Sequence, residues 1–208
     1  MLPSREWKFA KFNKPWYPGE TVITGIGQGF TLTTPLQLAI ATATLANHGL
    51  RLQPQLVERM ADTAAGTELV NAPRIVGQIE LSSRRHWDVS VAAMKDVVHG
   101  KKGTARQLAK GIDYTIAGKT GTAQVFGIPQ DAEYDEEKIQ KKLRDHALFI
   151  AFAPSRNPTI AVAVILENGG SGSTAAAPIA KRLIEHYLRG RTEPTKPRSK
   201  LVALVAAP

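Results

Sequence analysis

The spacing of apolar residues divides the 208 residues into a succession of helices and strands. Between Thr34 and Gly49 the run LQLAIATATLAN leaves no polar face, the pattern of a buried helix. Thr34 suits its N-cap, Pro35 its first position, Gln37 completes a capping box and Gly49 provides the stop. Trp87, Val91, Met94 and Val98 predict a second helix, starting at Ser82 or Ser83 and ending near Gly100. GTARQLAK, ending at Lys110, predicts a short further helix. Three β-rich runs follow. Tyr114 to Val125 (YTIAGKTGTAQV) is apolar or β-branched on both sides of a polar centre. HALFIAFAP and TIAVAVILE flank Ser155-Arg156-Asn157-Pro158, a turn by composition. Together the three runs predict an antiparallel three-strand meander. A last helix begins near Ala175 and carries Ile179, Leu183, Ile184 and Tyr187 on one face. The order predicts an α+β domain, an antiparallel sheet packed by helices.

Other segments have weaker patterns. Residues 50 to 80 contain QLVERM and ELVNAPRIVGQIE, read as short strands and turns. Residues 1 to 22 interleave Arg5, Lys8, Lys11 and Lys14 with Trp7, Phe9, Phe12, Trp16 and Tyr17. Such interleaving can mark a nucleic-acid surface. Pro3, Pro15, Pro18 and Gly19 predict instead an irregular segment whose aromatics pack on a neighbouring body. Phe126 to Arg144 is a charged excursion, with a helical stretch expected around Glu136 to Leu143, and it reads as a lid, a binding surface or a mobile loop. Residues 1–190 are expected to form the folded portion and residues 191–208 a disordered basic tail.

Charge alters the picture less than its total suggests. The net charge of +9 would suit nucleic acid or an anionic surface, yet residues 181 to 200 alone hold seven Lys or Arg against two Glu. More than half the excess therefore belongs to the C-terminal helix and tail, no nucleic-acid signature accompanies it, and no nucleic-acid partner is expected. The absence of Cys excludes disulfides and thiolate metal sites. His48, His86, His99, His146 and His186 are scattered with no H-E-x-x-H, so neither metal nor cofactor is expected. No run approaches about 18 consecutive apolar residues, and LPSREWKF after Met1 lacks the apolar stretch of a signal peptide. An export signal or anchor would have to lie in sequence outside this chain.

The candidate chemistry sits in the Tyr114–Val125 run. Gly118 and Gly121 offer nothing to pack, which suggests that another backbone or a ligand comes close. Between them Lys119 supplies a compact cation with three donors. Bare backbone, donors and a cation on one strand suit a ligand bearing a carboxylate or carbonyl; the plain alternative is a glycine-weakened strand with a solvated lysine. K-T-G is the third signature of serine β-lactamases and penicillin-binding proteins, beside S-x-x-K and S-D-N. The longer AGKTGTAQV closely resembles the class B penicillin-binding proteins, the monofunctional peptidoglycan transpeptidases, and within them the enzymes of rod-shape elongation. LPSREWK with PWYPGE, GIGQG ahead of T-P-L-Q-L, and GTA shortly before K-T-G-T extend the resemblance over most of the chain. Gly25-Ile26-Gly27-Gln28-Gly29 otherwise looks like a phosphate loop, but it lacks the G-x-G-x-x-G spacing and the βαβ context.

The resemblance implies the C-terminal portion of a penicillin-binding-protein/serine β-lactamase-like transpeptidase domain. Lys119 would lie on the cleft floor, bonding the relay residue and attracting the substrate carboxylate. Thr120 and Thr122 would offer hydroxyls, and the Thr122 N–H would join the oxyanion hole. Gly121 would let the acyl donor lie along the strand edge, and Ala123 and Gln124 would also bind substrate. Period two places Lys119 with Gly121 and Thr120 with Thr122 on opposite faces, which leaves open how both reach one ligand. The implied partners are D-Ala-D-Ala stem peptides, β-lactam antibiotics, the N-terminal remainder of the same protein, and a glycan polymerase with other elongation-complex membrane proteins. The implied location is the periplasmic face of the inner membrane. No serine here has a lysine three residues later, so the nucleophile and its base are absent and the chain alone is expected to be inactive. Ser155-Arg156-Asn157 formally fits S-x-N but follows K-T-G, and is read as a turn. The alternatives are a D-Ala carboxypeptidase or β-lactamase relative, and a non-catalytic binding or sensor module.

Overall fold

The computed structural model describes residues 2–62, 64–125, 140–190 and 202–206. In chain order, α1 (Arg5–Phe12) and α2 (Pro18–Gly25) precede α3 (Pro35–Ala46). Four short strands follow: β1 (Leu50–Leu52), β2 (Arg59–Asp62), β3 (Thr67–Val70) and β4 (Ile75–Gln78). They pair antiparallel as β1 with β4 and β2 with β3. Then come α4 (Arg85–His99), a single 3₁₀ turn at Arg106–Ala109, β5 (Ala117–Ala123), β6 (His146–Ala153), β7 (Ile160–Leu166), α5 (Ala177–Arg189) and β8 (Val202–Ala206).

The α+β reading holds. β5, β6 and β7 form the expected antiparallel meander, in register from Ala117 opposite Phe152 and from Ala153 opposite Ile160. β7 throughout and β6 after His146 are apolar, as suits strands covered on both faces of the sheet. On one side Phe149, Ala151, Ile160 and Val162 pack with Ala180 and Ile184 of α5 and with Leu108 of the 3₁₀ turn. On the other, Ala117, Phe152 and Ala161 meet Ala43 and Ala46 of α3 and Val91 and Met94 of α4. The capping box of α3 is present: Thr34 Oγ1 accepts the Gln37 N–H at 3.2 Å, and the Gln37 side chain accepts the Thr34 N–H at 2.9 Å. Its first turn leaves Leu36 45% exposed and Ala41 is exposed further along, so α3 is buried at Ala39, Thr42, Ala43, Thr44 and Ala46 rather than throughout.

Two segments differ from expectation. The N-terminal stretch is helical because its prolines flank the helices instead of interrupting them. Ser4 caps α1, Pro18 occupies the first position of α2, and the Glu20 carboxylate accepts the Tyr17 N–H. The aromatics do not pack on a neighbouring body as the sequence predicts; instead Trp7 and Phe12 pack on each other and on Phe30, with ring centres 5.3–5.7 Å apart, while Phe9 and Tyr17 stay exposed. Lys8 is buried, bonded to Glu20 and 4.3 Å from the centre of the Tyr17 ring. Inside the stretch expected to be a disordered tail, residues 202–206 pair in parallel with β7. VALVA there is apolar and β-branched, a composition that suits a strand far better than the basic residues before it. The helical stretch expected near Glu136 falls mostly outside the described residues, which resume with a 3₁₀ turn at Lys141–Leu143.

Candidate active site

Among the described residues β5 is the outer strand of its sheet, with β6 along one side and no strand along the other. Its beginning is held from two directions. At the end of α4, His99 Nε2 accepts the Ile116 backbone N–H at 3.0 Å, which requires a neutral ring. Partial burial, and secondarily the charge of Lys95, hold the His99 pKa below its ordinary value and favour that neutral form. From the β6–β7 turn, the Ser155 N–H donates to the Thr115 carbonyl at 2.9 Å and the two hydroxyls lie 2.7 Å apart. Ser155 is thus a buried turn residue with a structural partner. Burial pushes the Tyr114 phenol up to about 12, and its hydroxyl has no hydrogen-bond partner among the described residues.

Lys119 is exposed in the middle of the strand. Its Nζ donates to the Thr120 carbonyl at 2.7 Å and lies 3.4 Å from the Thr120 hydroxyl. That hydroxyl is 3.3 Å from Thr104 Oγ1, in the loop after α4. Period two sends the two side chains to opposite faces, but the long lysine stem folds round the open edge and brings its cation to the threonine. A hollow of about 660 Å³ lies beside them, between the last turns of α4, the Gly100–Thr104 loop and Lys119. Lys101, Lys102 and Lys119 against Asp96 leave it net positive, a setting for an anionic group.

The two glycines have separate explanations. A Cβ on Gly118 would come 2.7 Å from the Phe149 ring, so the bare position makes room for a core side chain and not for a ligand. At Gly121 a Cβ would sit 3.2 Å from Leu148 Cβ, while the backbone at Gly172 approaches the Gly121 carbonyl closely enough to exclude a side chain there. Another backbone does come near Gly121, and it is the chain's own. Ala123 closes the ladder opposite His146, and Gln124 is exposed just beyond it. A further neighbour had no sign in the spacing of K-T-G: Gln28 Nε2 donates to the Thr122 carbonyl at 2.8 Å.

Comparison with known proteins decides the family. The family model described as the penicillin binding protein transpeptidase domain matches residues 4–185. The chain belongs to that family. Similar relatives include the peptidoglycan D,D-transpeptidase MrdA of Haemophilus influenzae, 40% identical over 190 residues; the match covers 91% of this chain and 29% of that protein. A crystal structure of Pseudomonas aeruginosa PBP2 in complex with WCK 5153 superposes with a TM-score of 0.73 at 43% identity, covering 90% of this chain and 38% of that one. Helicobacter pylori PBP2, in a complex with MreC, superposes with a TM-score of 0.66 at 28% identity over 91% of this chain and 31% of its own. Within the transpeptidase family the likeness is therefore to penicillin-binding protein 2, and this chain spans less than a third of the MrdA relative.

For a transpeptidase domain the geometry divides the residues of the run from Gly118 to Thr122 clearly. Lys119, Thr120 and the Thr122 carbonyl gather at the open edge, while Gly118 belongs to the core. Thr104 and Gln28 join them from loops before the strand; GTA and GIGQG were visible as motifs, but their partners were not. Among the described residues no helix is long and apolar enough to cross a membrane.

Proposed function

We propose that residues 1–190 are the C-terminal portion of a peptidoglycan D,D-transpeptidase and that β5 forms the floor of its cleft. The observation that carries this reading is the meeting of the Lys119 cation with Thr120 at a strand edge left unpaired among the described residues, in a chain of this family. A serine outside this chain attacks the penultimate D-Ala carbonyl of a stem peptide. The bond to the terminal D-Ala breaks, that residue leaves with the proton, and the amine of a neighbouring stem opens the acyl-enzyme ester. Lys119 attracts the terminal carboxylate and steadies the relay residue, and the hydroxyls of Thr120 and Thr122 bond the same carboxylate. The Thr122 N–H stabilises the oxyanion. Gly121 gives the donor backbone access to the edge, which Ala123 and Gln124 extend. β-Lactams enter as mimics of the donor.

The same reading assigns the partners. The N-terminal remainder of the protein supplies the nucleophile and its base, and the whole works at the periplasmic face of the inner membrane with a glycan polymerase and other elongation proteins. The names of the relatives, a D,D-transpeptidase and a PBP2 bound to MreC, support it. The missing S-x-x-K favours one rival, a non-catalytic module that keeps the fold. Native envelopes labelled with a fluorescent penicillin and captured with an antibody to residues 126–144 decide between them. A labelled band much larger than 22.5 kDa is expected; an unlabelled band at 22.5 kDa would establish the rival. Lys119→Ala in the labelled protein should slow acylation by about 100-fold or more, the scale of losing one preorganised electrostatic group. Release of free D-Ala without cross-links would point to a carboxypeptidase instead.

A further inference from the structure

The glycine-rich turn after α2 has no part in the chemistry above, yet it is built to deliver one side chain. Gly27 and Gly29 lie in the left-handed region, at φ +80° and +73°, with Gln28 between them. The turn is closed by the Gly27 N–H on the Thr24 carbonyl at 2.9 Å and the Gln28 N–H on the Ile23 carbonyl at 3.1 Å. A Cβ on Gly29 would come 2.9 Å from an Ile23 methyl, and the positive φ would strain any side chain there. The next residue, Phe30, packs against the rings of Trp7 and Phe12. The aromatic N-terminus, α2 and the turn thus form one support, and its outermost group is the Gln28 amide on the Thr122 carbonyl.

That carbonyl belongs to the open edge. Residues two apart in an antiparallel ladder present their backbone groups to the same side, so Thr120 and Thr122 face away from β6 together. Thr120 takes the Lys119 ammonium and Thr122 takes Gln28. A carbonyl has a second lone pair, and an extended peptide pairing with β5 would place a backbone N–H on it. We propose that Gln28 is a positioning residue for the acyl donor: its amide fixes the aim of the Thr122 carbonyl and thereby favours ligands that present an amide N–H to it. This inference rests on the reading of β5 as the donor edge. The motif that looks like a phosphate loop serves a carbonyl instead, presenting a neutral side-chain donor where a phosphate loop presents backbone N–H groups.

The test uses the full-length transpeptidase and two β-lactams. Benzylpenicillin carries an acylamino N–H beside its reactive ring, and imipenem carries a hydroxyethyl group in its place. Gln28→Glu keeps the length but replaces the donor with an acceptor; it should lower the second-order acylation rate with benzylpenicillin by about tenfold, the scale of one hydrogen bond, and leave imipenem within about twofold. Gln28→Ala should show the same preference more weakly. The readout is the ratio of the two rates, which a reduced folded fraction does not change. An equal loss with both ligands would make Gln28 a general support of the fold and overturn the inference, as would no loss with either. An unmodified protein acylated by neither compound would remove the transpeptidase reading, and the inference with it.

Discussion

The sheet with its covering helices and the segments that precede it bury their apolar residues very differently. Phe149, Phe152, Ile160 and Ile184 have no exposed surface, whereas Val22, Ile26 and Leu56 are 69%, 75% and 105% exposed. Burying one such side chain is worth about 1.5–3 kcal/mol, so the first region holds itself together and the second leaves most of that stabilisation unused. The β2–β3 hairpin is the extreme case, exposed at all eight strand positions, and a two-stranded hairpin has little stability of its own. Such a contrast fits a chain that spans 29% of its MrdA relative. It also bears on the site. β5 is set from behind by a dense core, while its open edge is met by single contacts from lightly packed elements, Gln28 and Thr104 among them.

The largest expected effect is in the core. Phe149→Ala should cost about 3–5 kcal/mol in chemical denaturation, because the ring is wholly buried and its cavity cannot collapse. The matching change in the other region, Ile26→Ser, should stay within about 0.5 kcal/mol. Comparable losses at both positions would break the contrast. Glycines sharpen it. Gly118→Ala forces a methyl against the Phe149 ring and the Ile150 carbonyl and should cost about 1–3 kcal/mol. Gly25→Ala, with nothing within 4 Å of the added carbon, should be neutral or stabilise by up to about 1 kcal/mol through helix propensity.

Smaller effects follow at the boundaries of elements. Thr34→Ala removes the side-chain half of the α3 capping box, the acceptor for the Gln37 N–H, while the backbone N–H at 34 keeps its bond to the Gln37 side chain; it should cost about 1 kcal/mol, visible as a lower denaturation midpoint with an unchanged slope. His99 should make stability depend on pH. Its folded pKa is depressed, so the unfolded chain binds the proton more readily, and stability is full above the ordinary histidine value of about 6.5. It falls as pH drops below that value and through the folded pKa, with loss of the bond from Ile116. Denaturation midpoints between about pH 7.5 and 5 should decline in the protein and flatten in His99→Gln. Smallest in energy but clearest in pattern, backbone amides of β6 and β7 should exchange with solvent far more slowly than those of β2 and β3.

The reading from sequence went furthest where the signal is local. Thr34, Pro35 and Gln37 announce α3 within four residues, and the alternation Trp87–Val91–Met94–Val98 announces α4, because capping and helical periodicity depend on near neighbours. The apolar runs of β6 and β7 are legible as strands of a meander; that helices cover both faces of it is seen in the structure. Proline content misled the reading of the first 22 residues: the same residues break a helix in its interior and start one at its first position, and Ser4 and Glu20 decide which.

By itself, then, the sequence determined the α+β class, the K-T-G strand, the family, and the absence of an S-x-x-K serine. Each is written in adjacent residues or in a fixed spacing. Only the tertiary structure decided what surrounds that strand. Gln28 reaches Thr122 across 94 positions, His99 holds Ile116 across 17, and Lys119 rounds the strand edge to meet Thr120. Gly118, which in the sequence looked like room for a ligand, makes room for a phenylalanine on the next strand. Such contacts depend on how separate elements pack, and a residue's type says which bonds it can make without saying which partner the fold will bring to it.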